Sequence, residues 1–236
     1  PPGIACLGGA FQDNQSHLLA ILRNAHPGKK LELFHRLDKD TSGVLMLLKG
    51  NGVPQEKLLE DQKQRRLEKW YLALVEGVPD PRKGTVDTPL SAGKQLRRVV
   101  NPEREQGVSA ITHYAVDEEF RGFSLLSVRI ETGRMHQIRI HLASQGHPLA
   151  VDGTYGRCRT LRLFDCVPKG ERPWAGNRNP LVIGRVPLHA RCLKFRHPVT
   201  GKDVAIEAPV PPDLERALAL LRAIREGRLR EELEKK

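Results

Sequence analysis

The order of apolar and polar positions along the chain predicts alternating strands and helices. Apolar residues dominate 31–37 and 44–49, which are predicted to form two strands joined by the polar turn 38–43. The segment 69–77 is a further apolar strand, and a glycine ends it. No pattern recurs at the period of about 20 to 50 residues that indicates a repeat protein.

Two stretches, one before and one after the strand 69–77, are rich in charge. The segment 55–68 is predicted to form a helix with a narrow apolar stripe of Leu58, Leu59 and Leu67. The segment 79–107 is dense in Pro, Gly, Lys and Arg, which predicts a surface excursion with little packing of its own.

The middle of the chain predicts a hairpin followed by a helix. Strands are expected over 109–118 and 123–131. A helix from Met135 to Ser144 is predicted because its apolar residues recur at helical spacing, which puts Met135 on the buried face. The segment 157–187 is expected to be loop-like and basic.

The last part predicts two strands and a terminal helix. The strands 188–196 and 203–207 are joined by the turn 198–201, and Asp213 is expected to cap a helix that runs to Ile224 before a charged tail. Together these elements predict an α+β fold, with a mixed, mainly antiparallel sheet core and flanking helices. Neither a dinucleotide-binding fingerprint nor a P-loop is present, so no nucleotide cofactor is expected.

Length and composition fit one globular domain over 1–236. Hydrophobic residues make up 39% of the 236. Purely apolar runs such as Val44–Leu48 are far shorter than the roughly 20 residues of a membrane span. The chain opens with Pro-Pro-Gly instead of Met, so an N-terminal strand is expected to be missing.

Charge points to a polyanionic partner. Thirty-nine Lys and Arg against 28 Asp and Glu give a net charge of +11, as expected of a protein that binds nucleic acid. Only 5% of residues are aromatic, so phosphate contacts and shape are favoured over base stacking. The basic stretches 63–66, 94–104 and 157–162 are the expected phosphate track.

The four cysteines indicate a reducing compartment and no metal. They form no C-x-x-C pair, so a cytoplasmic protein is expected. His189, Cys192 and His197 resemble part of a zinc set, but a fourth ligand at suitable spacing is missing.

Two segments combine polar residues with strand or helix ends, 34–43 and 133–141. On residue chemistry alone, Asp38 has three interpretations. It is a turn residue, one of a carboxylate pair with Asp40, or a lone nucleophile facing a cation. Composition does not choose among them.

Five blocks resemble the RluA family of pseudouridine synthases, in the family's order. His35–Gly43 (HRLDKDTSG) is similar to its nucleophile signature, and Gly133–His141 (GRMHQIRIH) is similar to its G-R-x-H-Q-I-R-x-H segment. The other three matching blocks are Lys69–Gly77, Gly146–Gly156 and Leu188–Pro198. Many members of the family also carry an N-terminal S4 RNA-binding domain, and none is visible in this sequence.

The resemblance implies roles for six residues. Asp38 corresponds to the catalytic nucleophile, and Arg139 to the arginine that keeps this carboxylate charged and oriented, at an expected distance of roughly 2.7 to 2.9 Å. Tyr71 corresponds to the residue that stacks on the target uracil. Arg36 is expected to bind phosphate or to fill the gap left by the flipped base, with a buried salt bridge as the alternative. For His136 and Gln137, contact with RNA and bracing of the loop are equally open.

The implied activity is isomerisation of specific uridines in structured RNA by a monomer that needs no cofactor. Large-subunit ribosomal RNA is the first expected substrate, and tRNA is the second. One alternative is a non-catalytic RNA-binding protein, which would be expected to lack Asp38, Tyr71 or Arg139. The other is a glycoside or nucleoside hydrolase that pairs Asp38 with Asp40.

Overall fold

A computed structural model describes residues 1–7, 17–50, 53–92, 98–100, 107–172 and 179–234. The strands, in chain order, are β1 Leu31–Leu33, β2 Ser42–Gly43, β3 Leu47–Lys49, β4 Glu68–Glu76, β5 Lys83–Asp87, β6 Leu90–Ala92, β7 Arg98–Val100, β8 Ile111–Phe120, β9 Phe123–Ile130, β10 Leu161–Arg162, β11 Leu181–Ile183, β12 Leu188–Arg196 and β13 Asp203–Glu207. The helices are α1 Leu18–Ala25, α2 Val53–Lys63, α3 Gln137–Ser144, α4 Leu163–Cys166, α5 Pro212–Arg225 and α6 Leu229–Glu234.

The core is a seven-stranded sheet, which confirms the predicted α+β class. Its strand order is β13-β12-β4-β9-β8-β5, and every pair along this path is antiparallel. The short β2 adds a parallel pairing, through Ser42 and Gly43 against β12. No helix in the described ranges is both long and apolar enough to cross a membrane.

Strand β4 lies near the centre of the sheet and supplies side chains to both faces. Leu72 and Leu74 belong to a buried cluster that includes Leu214 of α5. Tyr71 and Ala73 belong to a second cluster on the opposite face, which includes residues of α3. Because side chains alternate along a strand, the odd-numbered positions of β4 face α3.

The first predicted hairpin is shorter than the apolar pattern indicates. Strands β1 and β3 pair antiparallel, but only over three residues each. The segment 34–46 between them leaves the hairpin, and its Ser42–Gly43 joins the main sheet as β2. Gly43 has φ +120°, and a Cβ at this position would lie 2.1 Å from the Ala190 carbonyl oxygen. Only glycine allows this close approach of the two backbones.

The two helices that flank this region also differ from the prediction. Helix α1 was not predicted at all. Helix α2 ends before the predicted boundary, and Arg65 follows it with φ +57°. Leu58 and Leu67 are buried as expected, whereas Leu59 is 42% exposed because it follows Leu58 by one residue and therefore lies on another side of α2.

The predicted surface excursion and the predicted basic loop were both wrong in part. The segment 79–107 contributes three strands, with Val86 and Leu90 fully packed. The segment 157–187 contributes β10, α4 and β11, and its apolar residues Leu161, Leu163 and Ile183 join the core. Isolated apolar residues among Pro, Gly and Arg gave no periodic signal, although tertiary contacts bury them.

Two helix starts were misplaced. Helix α3 begins at Gln137, so Met135 precedes it and is exposed. Helix α5 has Pro211 at its N-cap and Pro212 in its first turn, so Asp213 is not the cap. The carboxylate of Asp213 instead binds Arg185. The charged tail continues as α6.

Candidate active site

The two polar segments singled out by the sequence meet at one cavity of about 380 Å³. It opens beside the α3 face of the sheet, and both segments contribute to its wall. Asp38, Tyr71 and Arg139 all line it, together with Arg36, His136 and Gln137. The structure therefore brings all six predicted site residues together.

Asp38 lies in a loop whose backbone is tied to the scaffold on several sides. The Thr41 amide donates to the Asp38 carbonyl, which closes a tight turn. Arg185 donates from Nη1 to the Asp40 carbonyl at 3.0 Å. The Ser42 hydroxyl is 3.0 Å from Nδ1 of His189, and the other ring nitrogen of His189 faces the Ala208 carbonyl. These contacts fix the backbone of the loop, and the Asp38 side chain projects from it.

Arg139 binds Asp38 less closely than expected, because its main partner is Asp152. Its Nε and Nη2 donate to the two Asp152 carboxylate oxygens at 2.7 and 2.8 Å. The remaining Nη1 donates to Oδ2 of Asp38 at 3.4 Å. The expected contact of 2.7 to 2.9 Å with Asp38 was therefore wrong, although the pairing itself is present.

Asp152 is fully buried and fixed by the turn that follows it. Its Oδ1 also accepts from the backbone amides of Thr154 and Tyr155, at 2.8 and 3.0 Å. Burial opposes its charge, but the hydrogen bond from Arg139 and these amides still hold the pKa of Asp152 below its usual value. The Arg139 guanidinium is consequently held by a buried, charged carboxylate whose position is fixed.

His136 and Tyr155 form a second layer around the carboxylate. His136 is the N-cap residue that precedes α3 and has φ +58°, and its Nδ1 is 3.0 Å from the Tyr155 hydroxyl. Its Nε2 is 3.8 Å from Oδ1 of Asp38. The Tyr155 ring lies 5.2 Å from the Arg139 guanidinium carbon. Burial lowers the pKa of His136, although the Asp38 charge opposes this shift.

Gln137 is a brace and has no free polar atom for a substrate. Its Oε1 accepts from the Thr132 hydroxyl and the Arg134 amide, while its Nε2 donates to the Ile111 carbonyl and the Thr112 hydroxyl. These four bonds use the full capacity of the amide. Of the two roles left open for Gln137, the geometry supports bracing of the loop.

Tyr71 and Arg36 occupy opposite environments in the same wall. Tyr71 is buried, and burial together with the Asp38 charge raises the pKa of its phenol. The phenol is therefore protonated at neutral pH. Arg36 is exposed and makes no ion pair with any residue in the described ranges, so the buried salt bridge considered for it was wrong.

Sequence reasoning missed four residues of the site, namely His35, Lys69, Asp152 and Tyr155. All four lie inside the blocks that resemble the family, so the signal was present, but residue type alone gave them no role. His35 accepts from the Met46 amide at 3.1 Å, and burial, with the nearby Lys69, lowers the pKa of His35 to about 4. Burial lowers the pKa of Lys69 to about 8.

The expected phosphate track is only partly described. Arg65 and Arg66 of the first stretch pair with Glu131 and Asp61. In the third stretch Arg157 is largely exposed. Most of 94–104 lies outside the described residues.

Comparisons with known proteins agree on one family. A family model for RNA pseudouridylate synthase matches residues 1–144. The chain is 36% identical over 233 residues to the ribosomal large subunit pseudouridine synthase D of Haemophilus influenzae, which covers 94% of this chain and 67% of that protein. It is 33% identical over 228 residues to the ribosomal large subunit pseudouridine synthase C of Pasteurella multocida, which covers 94% of this chain and 64% of that protein.

The fold also has a solved neighbour. The human RNA pseudouridylate synthase domain containing 4 protein superposes with a TM-score of 0.69 at 23% identity, over 94% of this chain and 87% of that one. The chain spans 55% to 64% of the length of three curated relatives that it matches.

Proposed function

The chain belongs to the RNA pseudouridylate synthase family, and we propose that it isomerises specific uridines to pseudouridine in structured RNA. One observation carries this proposal: Asp38, Tyr71 and Arg139 line a single cavity. The reaction detaches uracil from C1′, turns it and rejoins it through C5, so it needs a nucleophile, a closed pocket and proton transfers. It needs no external source of energy.

Asp38 is the nucleophile in this proposal. A carboxylate adds to the substrate and later leaves, which suits a reaction that ends with the enzyme unchanged. The Arg139 nitrogen at 3.4 Å and the fixed backbone of the loop orient the Asp38 carboxylate toward the cavity. Attack at C1′, attack at C6 of the ring and assistance of an elimination all use the same group.

Tyr71 contacts the target uracil in this proposal, and Arg36 contacts the RNA from which the base has flipped. The buried, protonated Tyr71 provides an aromatic face against which the uracil stacks. Exposed and unpaired among the described residues, Arg36 contacts a phosphate or fills the gap left when the base leaves its stack. His136 has one ring nitrogen near Asp38 and orders the mouth of the cavity.

Large-subunit ribosomal RNA is the proposed substrate class, and tRNA is the second candidate. Two relatives that match 94% of this chain are named as ribosomal large subunit pseudouridine synthases. The net charge of +11 suits a folded polyanion. We assign the activity to a monomer in the cytoplasm.

The competing functions lack support from the site. A hydrolase with two carboxylates would need Asp40 in the cavity, but the residues lining it include Asp38 and not Asp40. The backbone of Asp40 is bound by Arg185. A non-catalytic RNA-binding protein would not need Asp38, Tyr71 and Arg139 together in one wall.

The test is a map of pseudouridine in ribosomal RNA and tRNA from cells with and without the gene, repeated in cells that carry only the Asp38→Asn form. The proposal expects at least one large-subunit position to lose its modification in both mutant strains. A map identical in all strains would overturn it, and a loss confined to tRNA would move the substrate to the second candidate.

A further inference from the structure

Lys69 is a buried lysine in the wall of the active-site cavity. It lies on β4 two residues before Tyr71, so the two side chains leave the same face of the strand. Only 8% of the residue is exposed. A Cβ at Gly133 would lie 3.5 Å from the Lys69 ammonium, so this ammonium packs against a glycine of the α3 segment.

This ammonium has no partner in the part of the chain that the structure describes. Neither an ion pair nor a hydrogen bond joins it to any of those residues. An isolated charge removed from water is costly, and buried charges are usually paired. A site that retains such a charge facing a cavity indicates that its partner enters from outside.

The other cationic groups of the cavity are engaged, exposed or neutral. Arg139 already binds two carboxylates. Arg36 and Arg134 are exposed at the rim. His35 and His136 have lowered pKa values and carry little charge at neutral pH. Lys69 is therefore the desolvated cation that remains available to an incoming group.

The proposed reaction supplies a matching anion. If Asp38 attacks C1′, a C–O bond forms, the C1′–N1 bond breaks and its electron pair leaves on the uracil, where N1, O2 and O4 share it. Elimination across the sugar leaves the same uracil anion. Addition of Asp38 to C6 sends an electron pair through the ring to O4. All three routes place negative charge on a uracil carbonyl oxygen.

We propose that Lys69 is a catalytic residue whose ammonium binds a carbonyl oxygen of the target uracil and stabilises the uracil anion formed during isomerisation. This inference rests on the proposed function. The ammonium acts by charge and hydrogen bonding and remains protonated. In the C1′ route the C5–C1′ bond forms as the bond from Asp38 to C1′ breaks, and the proton that C5 loses is balanced by the one that N1 gains, so the product is an isomer of the uridine. A preorganised donor in a water-poor site is most effective where charge develops in the transition state.

The test compares Lys69→Met and Lys69→Arg with the unchanged protein on a large-subunit RNA fragment that it modifies. Single-turnover rates at saturating enzyme measure chemistry, and filter binding measures affinity. We expect Lys69→Met to slow the chemical step by about 100-fold to 1000-fold, the effect of removing one oxyanion donor. RNA affinity should change by less than about threefold, because phosphate contacts dominate it. Lys69→Arg keeps the charge and should recover part of the rate.

The unfolding temperature of Lys69→Met distinguishes a catalytic lysine from a structural one. Methionine removes a buried, unpaired charge while filling similar volume, so Lys69→Met should unfold at a higher temperature than the unchanged protein. Lys194→Met is the matched control, because Lys194 is an exposed lysine over Trp70 on the adjacent β12. It should keep the normal rate.

Each contrary outcome has a definite meaning. A normal single-turnover rate in Lys69→Met overturns the inference while the proposed function stands. A normal rate with affinity reduced more than about tenfold also overturns it, because Lys69 then binds a phosphate. If Lys69→Met unfolds at a lower temperature than the unchanged protein and excess RNA restores its rate, the role of Lys69 is structural and the inference is overturned. If the unchanged protein modifies no RNA, the proposed function fails, and the inference fails with it.

Discussion

Arg139 and Asp152 form a buried two-point ion pair at 2.7 and 2.8 Å, and the same guanidinium reaches Asp38 at 3.4 Å with its third nitrogen. Arg139 is thus fixed by the carboxylate of Asp152, and not by Asp38, the proposed nucleophile. This arrangement leaves Asp38 with one directional contact from Arg139. The remaining acceptor positions of its carboxylate are available to a substrate.

Asp152→Asn should destabilise the protein and slow the reaction. The amide oxygen still accepts from the turn, but the buried guanidinium loses its charged partner, at a cost of about 3 kcal/mol or more. Urea unfolding measures this loss. Glu119→Gln is the control, because its ion pair with Arg82 is exposed and should be worth less than about 1 kcal/mol. Equal stability of the two variants would contradict the anchoring role.

Arg185→Met should lower the rate without weakening RNA binding. Arg185 connects Asp213 of α5 to the Asp40 carbonyl, so its loss frees the loop that carries Asp38. Small misplacements of a reacting group cost about tenfold to a hundredfold in rate, and single-turnover kinetics at saturating enzyme would show this. Arg222→Met removes another surface-helix ion pair, to Glu118, and should leave the rate unchanged. The idea fails if both variants react at the same rate.

The contribution of Lys69 to stability should become more favourable as the pH increases from about 8 to about 10.5. Burial lowers the pKa of folded Lys69 to about 8, whereas the unfolded chain retains 10.5. Between these values the unfolded state binds more protons, so alkali favours folding, by about 3 kcal/mol at most. The measurement is the difference in unfolding free energy between the unchanged protein and Lys69→Met across this range. A constant difference would contradict the assignment.

RNA binding should weaken steeply with salt. Each neutralised phosphate contributes a slope of about −0.7 to −0.9 in log affinity against log salt, so four to six contacts imply that affinity falls by roughly a hundredfold or more between roughly 50 and 200 mM. Arg36→Met should reduce this slope by about one contact. Arg121→Met, which removes an arginine already paired with Glu171, is the control. A flat salt response would exclude the basic surface as the RNA site.

The sequence predicted the parts of the molecule in which local pattern and tertiary environment agree. Strand β4 was predicted from a nearly continuous apolar run, because both of its faces are buried, and β8, β9, β12 and β13 were also predicted as strands. Val86 and Leu90 were assigned to the surface, because Pro and Gly interrupt their pattern and only contacts with distant strands bury them. Local periodicity contains no information about such contacts.

The site was predictable in its members but not in its pairings. The family resemblance brought Asp38, Tyr71 and Arg139 together, and they do share one cavity. The bond between Arg139 and Asp152 depends on how the turn after α3 folds back, and residue spacing does not specify this. Gln137 was equally open to two roles until its four bonds within the protein were visible.

The most direct test of the account is the single-turnover rate of Asp38→Asn beside that of Asp40→Asn, each at saturating enzyme on the same RNA. The two substitutions remove one carboxylate charge from the same loop, but only Asp38 lines the cavity. We expect Asp38→Asn to bind RNA normally and to lose at least about 10⁴-fold in rate, because the nucleophile is removed. Asp40→Asn should react within about threefold of the unchanged protein, as a residue outside the reacting group does. Near-normal product formation by Asp38→Asn, or an equally severe loss in Asp40→Asn, would contradict it.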